Sequence, residues 1–201
     1  MKQLFNYLTC FFIVLSLQAI GQTTYKLVPM PTTEKTCPSY QLTKNGTVLT
    51  LSEELEEAMD CPDVLDLHDN RYLIYDNGEE EIKKYDIETG KSETILKYPE
   101  DLDAVCGPIW SPDGKWIMFV AINEEKTFGY KEITRVILLD PNGFGALRKK
   151  KEFDVPVNYD CKKGCKAVIG KDFLFENATT IQYKRHLKAK VNAGKMEKIK
   201  L

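Results

Sequence analysis

The 201-residue sequence predicts an all-β chain, a small or incomplete β-propeller of about three to four antiparallel blades with one short helix. Three observations lead there. Short aromatic and aliphatic runs alternate with polar residues at the period of a strand. Three segments share one plan: a turn, a strand, a second strand, a glycine turn and a third strand. The segments recur at a spacing near that of four-stranded units, with Asp69 to Asp113 spanning 44 residues and Asp113 to Gly170 spanning 57. A small antiparallel sheet cannot bury both of its faces alone, so such units must shield one another by stacking.

Residues 1–21 read as a secretory signal. Lys2 gives the positive start, residues 8–17 an apolar stretch, and Ala19-Ile20-Gly21 place small residues at the −3 and −1 positions before Gln22. The stretch is shorter than the roughly 18 to 20 apolar residues that a spanning helix requires. The expected product is therefore exported, periplasmic or extracellular, with no membrane span after signal removal. Cys10 lies inside the apolar stretch and is not placed to carry a lipid.

Residues 22–60 are expected to form N-terminal strands and a short helix, a possible degenerate blade. Tyr25 to Val28 and Tyr40 to Leu51 alternate, and Asn45-Gly46 is a two-residue hairpin signal. Ser52 to Met59 reads as the helix, with Ser52 as cap and glutamates in the first turn. Residues 61–201 are expected to hold the propeller-like blades. Strands are expected over 69–75, 81–87 and 91–96 in the first unit, 113–120, 133–140 and 146–153 in the second, and 171–175, 180–184 and 195–201 in the third. Tyr72, Trp116 and Phe173 fall at matching places and are expected to pack between sheets.

The run Gly107-Pro108-Ile109-Trp110-Ser111-Pro112-Asp113-Gly114-Lys115-Trp116-Ile117 resembles the W-S-P-D-G signature of WD-like propeller repeats, as in TolB-type periplasmic proteins and the propeller domains of prolyl-oligopeptidase-like enzymes. Tyr85-Asp86-Ile87-Glu88-Thr89-Gly90-Lys91 is similar to the strand-to-turn segment of such blades. The resemblance covers Val64 to about Phe153 and implies a propeller that binds or scaffolds. It implies no particular ligand, because propellers host many unrelated tasks. The Ser-Pro-Asp-Gly run also has a local reading: Pro112 presets a tight turn, while Asp113 and Gly114 supply a side-chain cap and a permissive backbone.

Five cysteines follow residue 21, namely Cys37, Cys61, Cys106, Cys161 and Cys165. In a compartment that permits disulfides, Cys37 with Cys61 and Cys161 with Cys165 are candidate pairs, and the odd number leaves at least one thiol unpaired within the chain. Buried thiols, a redox pair or half a metal site are the alternatives. A redox pair would be expected at C-x-x-C spacing, and zinc would need ligands that the chain, with only His68 and His186, does not evidently supply.

Charge is uneven. Residues 22–147 carry 12 Lys and Arg against 24 Asp and Glu, while 148–201 carry 15 against 6. The two parts are expected to attract, with the basic C-terminal unit near the acidic first blade. The alternatives are a solvated basic face, or a patch of Arg148 to Lys151, Lys162, Lys163, Lys184 and Arg185 for an anionic polymer or membrane surface. The whole-chain net charge of −2 gives no reason to expect a nucleic-acid partner.

No nucleophile elbow, H-E-x-x-H helix, phosphate loop or dinucleotide fingerprint is present. Asp66, His68 and Asp69 gather two carboxylates and an imidazole, and strand alternation puts Asp66 and His68 on one face. Asp76 to Glu81 reads as an acidic hairpin loop, with a hard cation as the alternative. Asn45-Gly46-Thr47 and Asn177-Ala178-Thr179 match the glycosylation sequon. The expectation is an exported, non-catalytic binding or scaffold module that contacts a protein or envelope component through Asp66, His68, Asp69, Trp110 and Asp113, without cofactor or metal. Alternatives are a shortened relative of a hydrolase-associated propeller, or a metal-dependent enzyme centred on Asp66, His68 and Asp69.

Overall fold

The structure, a computed structural model, describes residues 23–31, 37–102, 104–122, 134–143, 147–155, 172–185 and 195–201. Among the described residues, fourteen strands are arranged in four antiparallel sheets, each built by neighbours in sequence. The first sheet contains β1 (Tyr25–Met30), β2 (Ser39–Lys44) and β3 (Thr47–Val48). Helix α1 (Glu53–Ala58) follows. The second sheet contains β4 (Leu65–His68), β5 (Tyr72–Asp76), β6 (Glu81–Asp86) and β7 (Lys91–Lys97). The third contains β8 (Ala104–Trp110), β9 (Ile117–Ile122), β10 (Thr134–Leu139) and β11 (Lys150–Val155), and the fourth β12 (Phe173–Asn177), β13 (Thr180–Arg185) and β14 (Lys195–Lys200).

Alternation along the strands decides which sheet meets which. On β5, Leu73 and Tyr75 join Leu55 of α1 in one buried cluster, while Ile74 joins a second cluster with Ile117, Phe119, Ala121, Ile137 and Leu139 of the third sheet. On β9 the other three residues, Met118, Val120 and Ile122, turn the opposite way and pack with Phe173, Ile181 and Tyr183 of the fourth sheet. Because both faces of the third sheet are covered, the run Ile117–Ile122 is apolar at every position and buried throughout. The first sheet packs on the second through Tyr25 and Leu42 against Leu65 and Leu67. Each buried cluster thus joins consecutive sheets, and this stacking supplies the apolar burial that a lone three- or four-stranded meander lacks.

The sheets fan out from their first strands. Strand β1 lies against β4, β4 against β8, and β8 against β12. A parallel bridge between Val64 and Gly107 shows β4 and β8 running side by side in one direction, so the turns that leave them open at the same end. The outer strands carry exposed lysines: Lys91 and Lys97 on β7, Lys150 and Lys151 on β11, Lys198 and Lys200 on β14. Charge on an edge strand discourages pairing with another chain, and β3 limits its own edge by being two residues long.

The expected strands at 81–87, 91–96, 133–140, 171–175, 180–184 and 195–201 correspond to β6, β7, β10, β12, β13 and β14, and Asn45-Gly46 forms its hairpin with φ of 50° and 84°, the pair of left-handed conformations such a turn needs. The expected strands at 69–75 and 113–120 start too early, because 69–71 and 113–116 precede β5 and β9 as turn and connecting residues, β11 starts only at Lys150, and β4 and β8 add a strand to each of these two sheets beyond those expected. Three further expectations need correction. Ser52 stands at the N-cap, but its side chain makes no capping hydrogen bond; its carbonyl instead accepts from the Leu55 and Glu56 N–H groups. Tyr72, Trp116 and Phe173 are not equivalent: Phe173 is fully buried between sheets, Trp116 is partly buried beneath the Lys151 ammonium, and Tyr72 lies under the Lys84 and Arg71 cations. The expected attraction between the basic C-terminal part and the acidic first blade is carried by Arg148, whose guanidinium pairs with Glu93, whereas Lys198 of the last sheet pairs with Glu176 inside its own sheet.

Cys37 and Cys61 form a disulfide, with Cα atoms 5.2 Å apart. It ties the entry of β2 to the exit of α1, where the Tyr40 N–H donates to the Met59 carbonyl and the Ser39 hydroxyl to Asp60. Cys106 is also disulfide-bonded. The expected Cys161–Cys165 pair, the proposed signal at 1–21, Lys162 and Lys163 lie outside the described residues. No helix among the described residues is long and apolar enough to cross a membrane.

Candidate functional site

The β4–β5 hairpin sets the first half of the site. Its turn residues Asp69 and Asn70 take φ of 50° and 52°, which short polar side chains tolerate, and the Arg71 N–H closes the turn onto the His68 carbonyl at 3.1 Å. Asn70 fastens the segment that enters β1 to this turn: its Oδ1 accepts from the Tyr25 N–H at 2.5 Å, and its Nδ2 donates to the Thr23 carbonyl at 2.7 Å. Arg71 grips Asp86 with two hydrogen bonds of 3.0 and 2.6 Å. That bidentate bond is the main reason the Asp86 carboxyl is held down at about 2.

The second half comes from β8. Its register against β9 shifts between Cys106 and Ile109, a bulge that re-aims the residues after it. Only glycine fits at 107: its φ is +152°, and a Cβ there would stand 2.8 Å from Cδ1 of Phe119. Beyond the bulge, Trp110 reaches across to the second sheet. Its indole Nε1 donates to Asp66 Oδ2 at 2.6 Å, and its ring stacks on His68 with centroids 3.5 Å apart and planes 11° from parallel.

His68 is half-buried, and desolvation pushes its pKa below the usual imidazole value, against the pull of the Asp69 and Asp66 carboxylates. Asp69 stands 3.1 Å from Nε2 and is largely exposed. Across the hairpin, His68 pairs with Tyr72, over whose ring the Lys84 ammonium sits at 4.3 Å. Burial pushes the Lys84 pKa down, and its ammonium donates to the Pro141 carbonyl at 3.0 Å. Arg148 completes this polar end of the interface, with Nη2 3.1 Å from Glu93 and Nη1 donating to the Asp140 carbonyl at 3.2 Å.

Arg148 therefore departs from the basic-patch expectation, since its side chain is 5% exposed and belongs to the joint between sheets. Arg148→Ala should lower stability by about 1–3 kcal/mol, because it leaves Glu93 with only the more distant Lys84 ammonium, at 4.0 Å, and the Asp140 carbonyl without this donor. Urea unfolding monitored by far-UV circular dichroism measures this, and a change under about 0.5 kcal/mol, as for an ordinary surface site, would contradict it.

Of the residues singled out from the sequence, Asp66, His68 and Trp110 meet directly, with Asp69 beside them. Asp113 serves its own turn: it accepts from the Ser111 hydroxyl at 2.8 Å and the Lys115 N–H at 3.3 Å, and these bonds hold its pKa low. Tyr72, Lys84, Glu93 and Arg148 were missed as members of this region. The available signal was that Tyr72, Lys84 and Glu93 share one face of paired strands with His68, but the approach of Arg148 depends on how two sheets stack. The Asp76 loop uses its acceptors internally, with Asp76 Oδ1 taking the Gly78 N–H at 2.9 Å and the Tyr98 hydroxyl bonded to the same carboxylate. Among the described residues no group of three or more His, Cys, Asp and Glu side chains is gathered as for a metal ion.

Fold and site together define an all-β protein of stacked meanders with an aromatic and acidic group bridging its two central sheets. No protein-family model matches the chain, and none of the curated proteins or solved structures matches it.

Proposed function

We propose that the chain is an exported, non-catalytic binding or scaffold module built as an open array of propeller-like blades resembling those of TolB-type proteins. Its binding surface is the end of the array where the β4–β5 and β8–β9 turns emerge together, and its partner is a protein or another envelope component. One observation carries this reading: Asp66, Trp110 and His68 are bonded and stacked on one another across two sheets. This gives a fixed, half-exposed polar and aromatic surface, suited to recognition by pre-organisation. The fanned first strands support the propeller-like build, and the Cys37–Cys61 disulfide is compatible with export.

The test is affinity capture at neutral pH from the envelope fraction of the source cells, using residues 22–201 as bait beside Trp110→Ala. The expected result is a component retained by the native chain and lost with Trp110→Ala. Identical captured sets from the two baits would reject the proposed surface. Turnover abolished by His68→Ala would replace the reading with an enzyme.

A further inference from the structure

An apolar side chain left in water and cations left without carboxylates come together at one place in this chain, the connection that enters β11. Leu147 is 88% exposed, the most open of the large hydrophobic side chains that face water among the described residues. Lys149, Lys150 and Lys151 follow it closely, all exposed, and Lys115 stands 77% exposed in the β8–β9 turn. We propose that this corner docks on an anionic lipid bilayer: Leu147 enters the head-group layer, while Lys115, Lys149 and Lys151 lie against the negative charges of the lipids. The inference goes beyond the partner surface proposed above, because the patch does not use Asp66, His68 or Trp110 and needs no protein partner.

Strand register places the pieces. Leu139 pairs with Ile117 on one side and with Lys150 on the other, and the Asp140 N–H donates to the Lys149 carbonyl at 3.0 Å. The start of β11 therefore lies at the same end of the third sheet as the turn that carries Lys115 and Trp116. Alternation then separates the lysines. Lys150 pairs with Glu152 at 2.5 Å on one face, whereas Lys151 reaches over Trp116, its ammonium 5.1 Å from the ring centroid. Lys115 meets Asp113 of its own turn at 3.2 Å, and no carboxylate among the described residues pairs with Lys149 or Lys151. Arg148, turned inward to Glu93, takes no part.

Charge and apolar surface together select the partner. Unpaired cations gain beside any polyanion, but an acidic polysaccharide would leave Leu147 in water. The interface of a bilayer accepts a leucine among its head groups and lets the lysine stems follow, with the ammonium groups held at the level of the lipid charges. Three such lysines and one apolar side chain make the attachment peripheral and reversible, and salt weakens it by screening.

The experiment is co-sedimentation of residues 22–201 with vesicles, either phosphatidylcholine alone or an equal mixture of phosphatidylcholine and phosphatidylglycerol. No protein partner is present, so the outcome is independent of the capture experiment. The expected result is binding to the mixed vesicles, none to phosphatidylcholine alone, and weaker binding as salt is raised. Lys149→Gln should weaken partition about fivefold, the loss for one lysine at an anionic surface. Lys97→Gln removes the same charge from an exposed lysine at the opposite end of β7 and should leave partition unchanged. Leu147→Ser should weaken it by about fivefold as well, and by the same factor at either salt concentration, because its contribution is apolar. All three positions are exposed, and far-UV circular dichroism checks that each variant is folded. Equal binding to the two kinds of vesicle would overturn the proposal, as would equal losses from Lys149→Gln and Lys97→Gln, the mark of net charge without a surface. Unchanged partition of Leu147→Ser, with the native chain retained by immobilised polygalacturonate, would overturn it in favour of an acidic polysaccharide.

Discussion

Phe119→Ala should destabilise the protein by about 3–5 kcal/mol, the range for truncating a large aromatic in a packed core. Phe119 is wholly buried where the second and third sheets meet, among Ile74, Ile82, Ile117 and Ile137. Sheets on both sides constrain the site, so little collapse into the cavity is available. The measurement is the midpoint of urea unfolding at constant slope. A companion change sharpens it. Gly107→Ala places a methyl 2.8 Å from the Phe119 ring at a φ that side chains disfavour, and alone should cost about 2–4 kcal/mol from clash and backbone strain together. In the Phe119→Ala background the clash with the ring disappears, while the backbone strain and the 3.2 Å approach to the Met118 carbonyl oxygen remain, so the combined loss should fall short of the sum of the two separate losses. Strict additivity would show that the ring and the glycine backbone do not determine one another.

The second large effect belongs to the covalent tie. Cys37→Ser with Cys61→Ser should cost about 3–4 kcal/mol on the chain-entropy estimate for a loop with a sequence separation of 24. The loss should fall on the first sheet and α1, since the disulfide joins the entry of β2 to the residues just after the helix. Amide exchange is the suitable measurement: the Leu42 N–H on β2 and the Met59 N–H after α1 should lose protection, while β9 and β10 keep theirs. Uniform loss across all four sheets would instead show that the array unfolds as one unit.

Much of this architecture is legible in the alternation of side chains. The hairpin at Asn45-Gly46, the strands on either side of Gly90 and the shared face of Asp66 and His68 all follow from local chemistry that the fold leaves intact. Asp113 is legible for the same reason, as a turn cap whose bonds lie within its own loop. What could not be read depends on contacts between sheets. The stack of His68 on Trp110 joins residues far apart in sequence, and nothing in either local pattern aligns two separate strands. Arg148 sits in a run of basic residues that reads as a solvated patch, yet the loop before β11 brings it against Glu93 and out of water. Tyr72, Trp116 and Phe173 occupy corresponding places in three units but meet different neighbours, because the first of these sheets ends in a polar joint and the last in an apolar cluster. Cys37 with Cys61 was one of several permissible pairings, and the backbone bond from Tyr40 to Met59 is what brings those two together.

The double burial of the third sheet has an implication for how the chain matures. Until residues 172–201 emerge and settle, Met118, Val120, Val136 and Leu138 present a greasy flank to the surroundings. A product cut short before that point would carry an adhesive surface that chaperones and proteases recognise. Docking of the β12–β14 meander is the step that takes this flank out of water.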